Sequence, residues 1–295
     1  MISAIVCSIN ESHFKRFSDS FEQTVGVPFE IIRIDNTIEK LGICAAYNKG
    51  AALSRYPYLC FVHEDVVFLT ENWGGKLIRH FESLSNVGIL GIAGTSYKTF
   101  APSGWWTPNL SFLFYNYVQT YKHADKKREH LQHQAEEPAK VICLDGVFLA
   151  AQRDVFDSVK FDESVGGFHG YDLDLSLAMS ARRQNYFIND VLIEHFSEGK
   201  ADETWIENAF LLFEKWRGTL PLSAAGKKND KLTEVNALAA FVSLVIKSQL
   251  SADKKKRLIG TSVFSVTKKM RAPVRVISAL LKTYIKARLL KTNIR

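Results

Sequence analysis

Four short strand-like runs divide the first 93 residues, and a segment with helical spacing separates each run from the next. The runs cover 3–9, 30–34, 58–62 and 87–93, and the helical segments cover 11–25 (with Phe14, Phe17 and Phe21 on one side), 42–54 and 73–84. Compact apolar runs suit strands covered on both faces, and strand–helix alternation closes such strands into a sheet with parallel crossovers. The pattern therefore predicts an α/β fold, with a mixed, mainly parallel sheet flanked by helices.

The alternation breaks at 95–138, an aromatic and then polar stretch too long for a plain connection, and it reads as a functional loop or lid. Strand-like composition resumes at 141–151 and 186–195, with a short helix at 153–159 and a longer one at 171–183 behind the Gly-rich bend 166–170. Asp202 caps a helix running to Arg217, which Gly218 and Pro221 end. Residues 224–231 form a polar linker, and helices are expected over 233–250, 254–268 and 273–291. The reading is thus a first domain over 1–220 and a basic helical region over 221–295.

Charge divides at the same place. Residues 1–220 carry 21 Lys and Arg against 28 Asp and Glu, a net −7, while residues 221–295 carry 17 against 3, a net +14. Such asymmetry points to a tail with its own partner. In the last expected helix Val274, Ile277, Leu281, Tyr284 and Ile285 share one side, and Arg271, Arg275, Lys282 and Lys286 another. A basic amphipathic helix suits an anionic membrane surface, while packing on an acidic surface or an oligomer contact is the alternative. The tail has no zinc finger or aromatic-interleaved basic motif, so nucleic acid is not an expected partner.

Hydrophobic content of 46% and charged content of 23% exclude wholesale disorder. Cys7, Cys44, Cys60 and Cys143 lie far apart without a CxxC pair, and they read as buried small residues in a reducing compartment. No signal peptide is read at the N-terminus, and the longest apolar stretch, 237–246, is about half a bilayer span. A cytoplasmic protein is expected, peripheral at the inner membrane face if the tail binds lipid.

Carboxylates cluster where strands end. Asp35 follows the second run, Asp65 the third, and Asp145 lies in a later one. In open α/β sheets ligands bind at these ends, although each carboxylate taken alone also reads as a helix cap or turn residue. His63, Glu64 and Asp65 directly follow the strand YLCFV, and residues 63 and 65 point the same way if the chain stays extended. In FDESVGGFHGYDLDL, glycines allow close approach to a ligand, and Asp172 and Asp174 open a helix. Asp172 is the candidate general base, whereas Asp174 reads as a helix-start residue. His195 ends another strand and, with Asp65, makes a mixed oxygen–nitrogen metal site suited to Mn²⁺ better than to Ca²⁺. Trp105, Trp106, Phe114, Tyr115 and Tyr117 offer rings that stack on sugars or pack in a core.

Four ordered elements carry a resemblance: VCSIN with the later IDN; AAYNKGAALSRYPYLCFVHEDV; LDGVFLAAQRDVFDSVKFDESVGGFHGYDLDLSL; and EHFSEG. Over about residues 1–200 the chain resembles bacterial family-two-type glycosyltransferases of the GT-A fold, near the group with the streptomycin-biosynthesis protein F-like domain. The resemblance implies a hexosyltransferase-like enzyme that moves a sugar, with inversion, from a UDP-, GDP- or dTDP-sugar to a glycan or lipid-linked acceptor, with Mn²⁺ or Mg²⁺ as cofactor. The setting implied is surface polysaccharide or glycolipid synthesis. Donor contacts would fall to Ser8, Asn10, Asp35, Asn48, Lys49, His63, Glu64 and Asp65. Acceptor contacts would fall to Trp105, Trp106, Asp145, Gly146, His169 and Tyr171. Asp65 and His195 would hold the metal, and Asp172 would be the base. The chain departs from the family pattern in having His63 as the first residue of the DxD-like element and Tyr171 before the base. A non-catalytic GT-A-like binding protein, or a scaffold acting through its tail, are the rival readings.

Overall fold

Strand Ile2–Ser8 is almost wholly buried and lies inside a seven-stranded sheet, which is why it reads as an unbroken apolar run. The computed structural model describes residues 1–121, 128–197, 199, 201–226 and 230–271. These fall into two compact units, Met1–Ser96 with Leu113–Gly199, and Tyr97–Phe112 with Lys200–Arg295.

In the first unit the larger sheet runs Ala139–Val141, Gln184–Phe187, Val87–Gly91, Phe148–Gln152, Tyr58–Val62, Ile2–Ser8, Phe29–Asp35. Ile2–Ser8 pairs parallel with both neighbours, while Phe148–Gln152 runs antiparallel to both of its own. The sheet is therefore mixed and mainly parallel. Helix Glu11–Thr24 covers one face: Phe17 and Phe21 are fully buried, and Phe21 meets Trp73 edge-on at 5.0 Å. Phe68 stacks on Trp73 with ring centroids 4.3 Å apart. This cluster also takes in Val62, Val66 and Ile193, so the backbone on both sides of His63–Asp65 and before His195 is fixed by buried neighbours.

A second sheet runs Cys143–Leu144, Ala93–Thr95, Leu113–Thr120, Ile193–His195, Val66–Phe68, with Arg128–His133 paired to Leu113–Thr120. Here the structure differs from the loop expected over 95–138. Leu113–Thr120 and Arg128–His133 form an antiparallel ladder from Tyr115↔His133 to Thr120↔Arg128. Arg128–His133 alternates exposed and half-buried residues, so its polar composition resembles a loop while its ladder makes it a strand. The runs expected at 87–93 and 186–195 are each interrupted: Val87–Gly91 and Ala93–Thr95 are separate strands, as are Gln184–Phe187 and Ile193–His195.

The second unit pairs Tyr97–Lys98 with Leu222–Ser223 and holds helices Glu203–Trp216, Lys231–Lys247 and Ala252–Met270. Asp202, Asp230 and Ser251 cap them by accepting the backbone N–H of Trp205, Thr233 and Lys254. Glu234, 2% exposed, accepts from the Tyr97 hydroxyl at 2.8 Å and from the N–H groups of Phe100 and Ala101 at 2.9 and 3.1 Å. That buried carboxylate fastens 97–101 to the helix Lys231–Lys247. No described helix is long and apolar enough to cross a membrane. The helix expected over 273–291 lies outside the described residues.

Candidate functional site

Parallel register sets Ser8 beside Asp35 and brings the strand Tyr58–Val62 up on the other side, so three strands end along one edge of the sheet. The Ser8 side chain is fully buried there, and its hydroxyl has no hydrogen-bond partner among the described residues. Asn10 caps helix Glu11–Thr24, its Oδ1 accepting from His13 N at 3.1 Å. Asp35 caps the short helix Asn36–Glu39, and hydrogen bonds from the Thr37 hydroxyl and N–H lower its carboxyl from the ordinary value. The Asn48 amide clasps the backbone of Phe161, donating to its carbonyl at 2.9 Å and accepting its N–H at 3.1 Å. Lys49 pairs with Glu39 at 2.5 Å. Glu64 turns toward the first strand's loop, where its Oε2 accepts from Ile9 N at 3.0 Å and Asn10 N at 2.9 Å.

The chain turns at Glu64 and Asp65 rather than staying extended. His63, Asp65 and His195 nevertheless converge, with one ligand atom from each within 4.8 Å of the others. Asp65 Oδ1 is 3.6 Å from His195 Nε2 and 4.0 Å from His63 Nδ1. Desolvation works to raise the Asp65 carboxyl, but its interactions with His195, His63 and Ser197 outweigh it and hold the group below the usual carboxylate range. Burial lowers the His63 pKa, so its imidazole is neutral at physiological pH and keeps a lone pair. Two imidazole nitrogens and one carboxylate oxygen fit a divalent transition metal.

Tyr171 opens the helix Tyr171–Ser180 and is 4% exposed. Its hydroxyl lies 2.7 Å from His63 Nε2 and donates to the Gly146 carbonyl at 3.2 Å. Glycine at 146 is required, because a Cβ there would stand 2.0 Å from the Tyr171 hydroxyl. Gly146 N in turn donates to Asp172 Oδ2 at 3.1 Å, and Leu173 N donates to Asp172 Oδ1 at 2.9 Å. Desolvation, and then the charge of Asp145, push the Asp172 carboxyl up to about 7. A carboxylate at that value is matched to proton transfer at neutral pH. Asp145 Oδ1 accepts from Val147 N at 2.8 Å.

The sequence pattern of the glycosyltransferase-like family matches residues 3–215. The chain belongs to that family. The glycosyltransferase has the GT-A fold, as its structural relatives do. It is similar to S. aureus TarS 1-349, with a TM-score of 0.56 at 12% identity, covering 100% of this chain and 92% of that one. The structure of TarS 1-349 in complex with UDP gives 0.55 at 13% identity with the same coverage. GalNAc-T7 with UDP, GalNAc and Mn²⁺ gives 0.53 at 11% identity; the match covers 89% of this chain but 54% of GalNAc-T7. No curated protein sequence matches the glycosyltransferase.

Sites inferred from sequence thus fall into groups. His63, Asp65, His195, Tyr171, Gly146 and Asp172 are linked in space within the first unit of the glycosyltransferase. Asn10, Asp35, Asn48 and Lys49 have side chains engaged in caps, a loop clasp and an ion pair. His169 is half-buried in the bend before Tyr171. Trp105 and Trp106 belong to the second unit, where their rings meet edge-on at 5.6 Å. Sequence reasoning missed Gln119, which stands opposite His195 in the ladder; it lies in the stretch read as a loop, and no motif marks it.

Proposed function

We propose that the enzyme transfers a sugar from a nucleoside-diphosphate sugar to a hydroxyl acceptor, with inversion and with a bound divalent metal. The observation carrying this reading is the link between two kinds of chemistry: the His63, Asp65 and His195 cluster is joined through Tyr171 and Gly146 to Asp172, a carboxyl held near neutrality. When bound, Mn²⁺ or Mg²⁺ would neutralise the departing diphosphate. Asp172 takes the proton of the acceptor hydroxyl as its oxygen attacks the anomeric carbon, and the bond to the diphosphate breaks on the opposite face. The UDP complexes among the relatives of this fold favour a uridine donor.

A thermal-shift panel of UDP, GDP and dTDP, each with and without Mn²⁺ or Mg²⁺, tests the donor and metal together. Saturation near 100 Kd is worth about 2.7 kcal/mol, which corresponds to a rise of roughly 4–5 °C for a chain of this size. The expected result is such a rise for one nucleotide only when metal is present; no shift with any pair overturns the reading.

We also propose that the tail meets an anionic membrane surface and brings the enzyme to a lipid-linked acceptor of surface polysaccharide or glycolipid synthesis. Its +14 charge over 221–295 supports this. Full-length protein is expected to float with vesicles containing phosphatidylserine at low salt. A variant with Arg271, Arg275, Lys282 and Lys286 replaced by Gln is expected to stay behind, and equal flotation of the two removes the role. Truncation at Leu220 is the wrong test, because it deletes Glu234 and with it the hold on 97–101.

A further inference from the structure

Two imidazoles can hold one metal only if each turns a lone pair toward it, and the nitrogen that carries the lone pair is decided by what the other ring nitrogen meets. For His195 the deciding residue is Gln119, in register with it on the adjacent parallel strand. The Gln119 Nε2 group lies 3.1 Å from the Thr120 carbonyl, 3.2 Å from that of His195 and 2.9 Å from that of Ser197. Carbonyl oxygens accept only, so the amide cannot be turned round, and Oε1 is the atom 3.3 Å from His195 Nδ1. An amide oxygen there requires hydrogen on Nδ1. The lone pair then sits on Nε2, the nitrogen facing Asp65, where the Ser197 hydroxyl at 3.1 Å can donate to it.

His63 is held in the opposite sense. The Tyr171 hydroxyl has one proton and lies 3.2 Å from the Gly146 carbonyl, which can only accept; spending the proton there leaves the hydroxyl oxygen to accept from His63 Nε2 at 2.7 Å. That leaves the His63 lone pair on Nδ1, again the nitrogen facing Asp65. The missing side chain at Gly146 is what lets the hydroxyl reach both partners.

We propose that Gln119 and Tyr171 are positioning residues that lock His195 and His63 in opposite tautomers, with both lone pairs directed at the Asp65 carboxylate. The inference builds on reading His63, Asp65 and His195 as a metal site, but the tautomers themselves exist without metal. It also gives Tyr171 a role distinct from the acceptor contact expected from sequence.

The test uses the full-length, metal-free protein with ¹⁵N-labelled histidine. Long-range ¹H–¹⁵N spectra at pH 8 are expected to show His195 with hydrogen on Nδ1 and His63 with hydrogen on Nε2. Tyr171→Phe keeps the ring and is expected to release only His63; Gln119→Leu is expected to release only His195. Each variant should weaken binding of Mn²⁺ alone, measured by calorimetry, by about 10–100-fold, with its melting temperature followed in parallel. The same tautomer in both histidines, or Tyr171→Phe with both tautomer and affinity unchanged, overturns the lock. Opposite tautomers in a protein that binds no Mn²⁺ overturn the metal reading and leave the lock standing.

Discussion

Asp172→Asn is expected to lower kcat by about a hundred- to ten-thousand-fold while leaving nucleotide-dependent thermal shifts in place. The amide oxygen can accept from only one of Gly146 N and Leu173 N, which now donate to different carboxylate oxygens, and the amide cannot take a proton, so the variant's melting temperature is followed alongside its kinetics. The wild-type enzyme should show an acid limb in kcat/KM near pH 7, because only the ionised carboxylate is a base and its carboxyl is pushed up to about 7. Below that point activity falls about tenfold per pH unit, and the residual activity of Asp172→Asn should lack this limb. Stability moves the other way. A carboxyl raised on folding favours the protonated form, so its stabilising effect is full at acid pH and is lost as pH rises from the ordinary carboxylate range through about 7. Asp172→Asn should remove that loss. Retained turnover with an unchanged acid limb would assign the base elsewhere.

The second large effect is expected at Asp65. Asp65→Asn takes away the anionic member of the His63, Asp65 and His195 cluster. Its carboxyl is held well below the usual range, so the wild-type residue is ionised throughout the working pH range. Affinity for Mn²⁺ should fall by more than about a hundredfold, beyond the loss expected for residues that only orient a ligand, and activity should fall with it. Excess Mn²⁺ should restore part of the activity in Asp65→Asn and none in Asp172→Asn, since only the first defect is one of occupancy. Wild-type Mn²⁺ affinity in Asp65→Asn would sink the metal assignment.

These two residues were also the most legible. Asp65 follows a strand whose apolar run stands out, and Asp172 starts a helix behind a Gly-rich bend, so local composition marks both places. Where the local signal is ambiguous the reading diverges. Leu113–Thr120 and Arg128–His133 look like loop because their exposed positions are polar, and only the ladder between them makes them strands. The expected place of His63 in a DxD-like element is local, whereas its meeting with His195 needs the turn at 64–65 and the antiparallel pairing of His195 with Val66.

The sequence by itself determined the alternation of strands and helices, the carboxylates at the strand ends, the family motifs in their order and the division of charge along the chain. All of these are local or additive properties, readable without knowing what lies across the fold. Tertiary structure alone decided that His63 joins Asp65 and His195, that Tyr171 turns inward to the glycine at 146, and that Gln119 faces His195. Each depends on residues between 25 and 132 positions apart meeting within a few ångströms. Hydrogen-bond direction at an imidazole is set by such neighbours, and no local pattern in the chain records it.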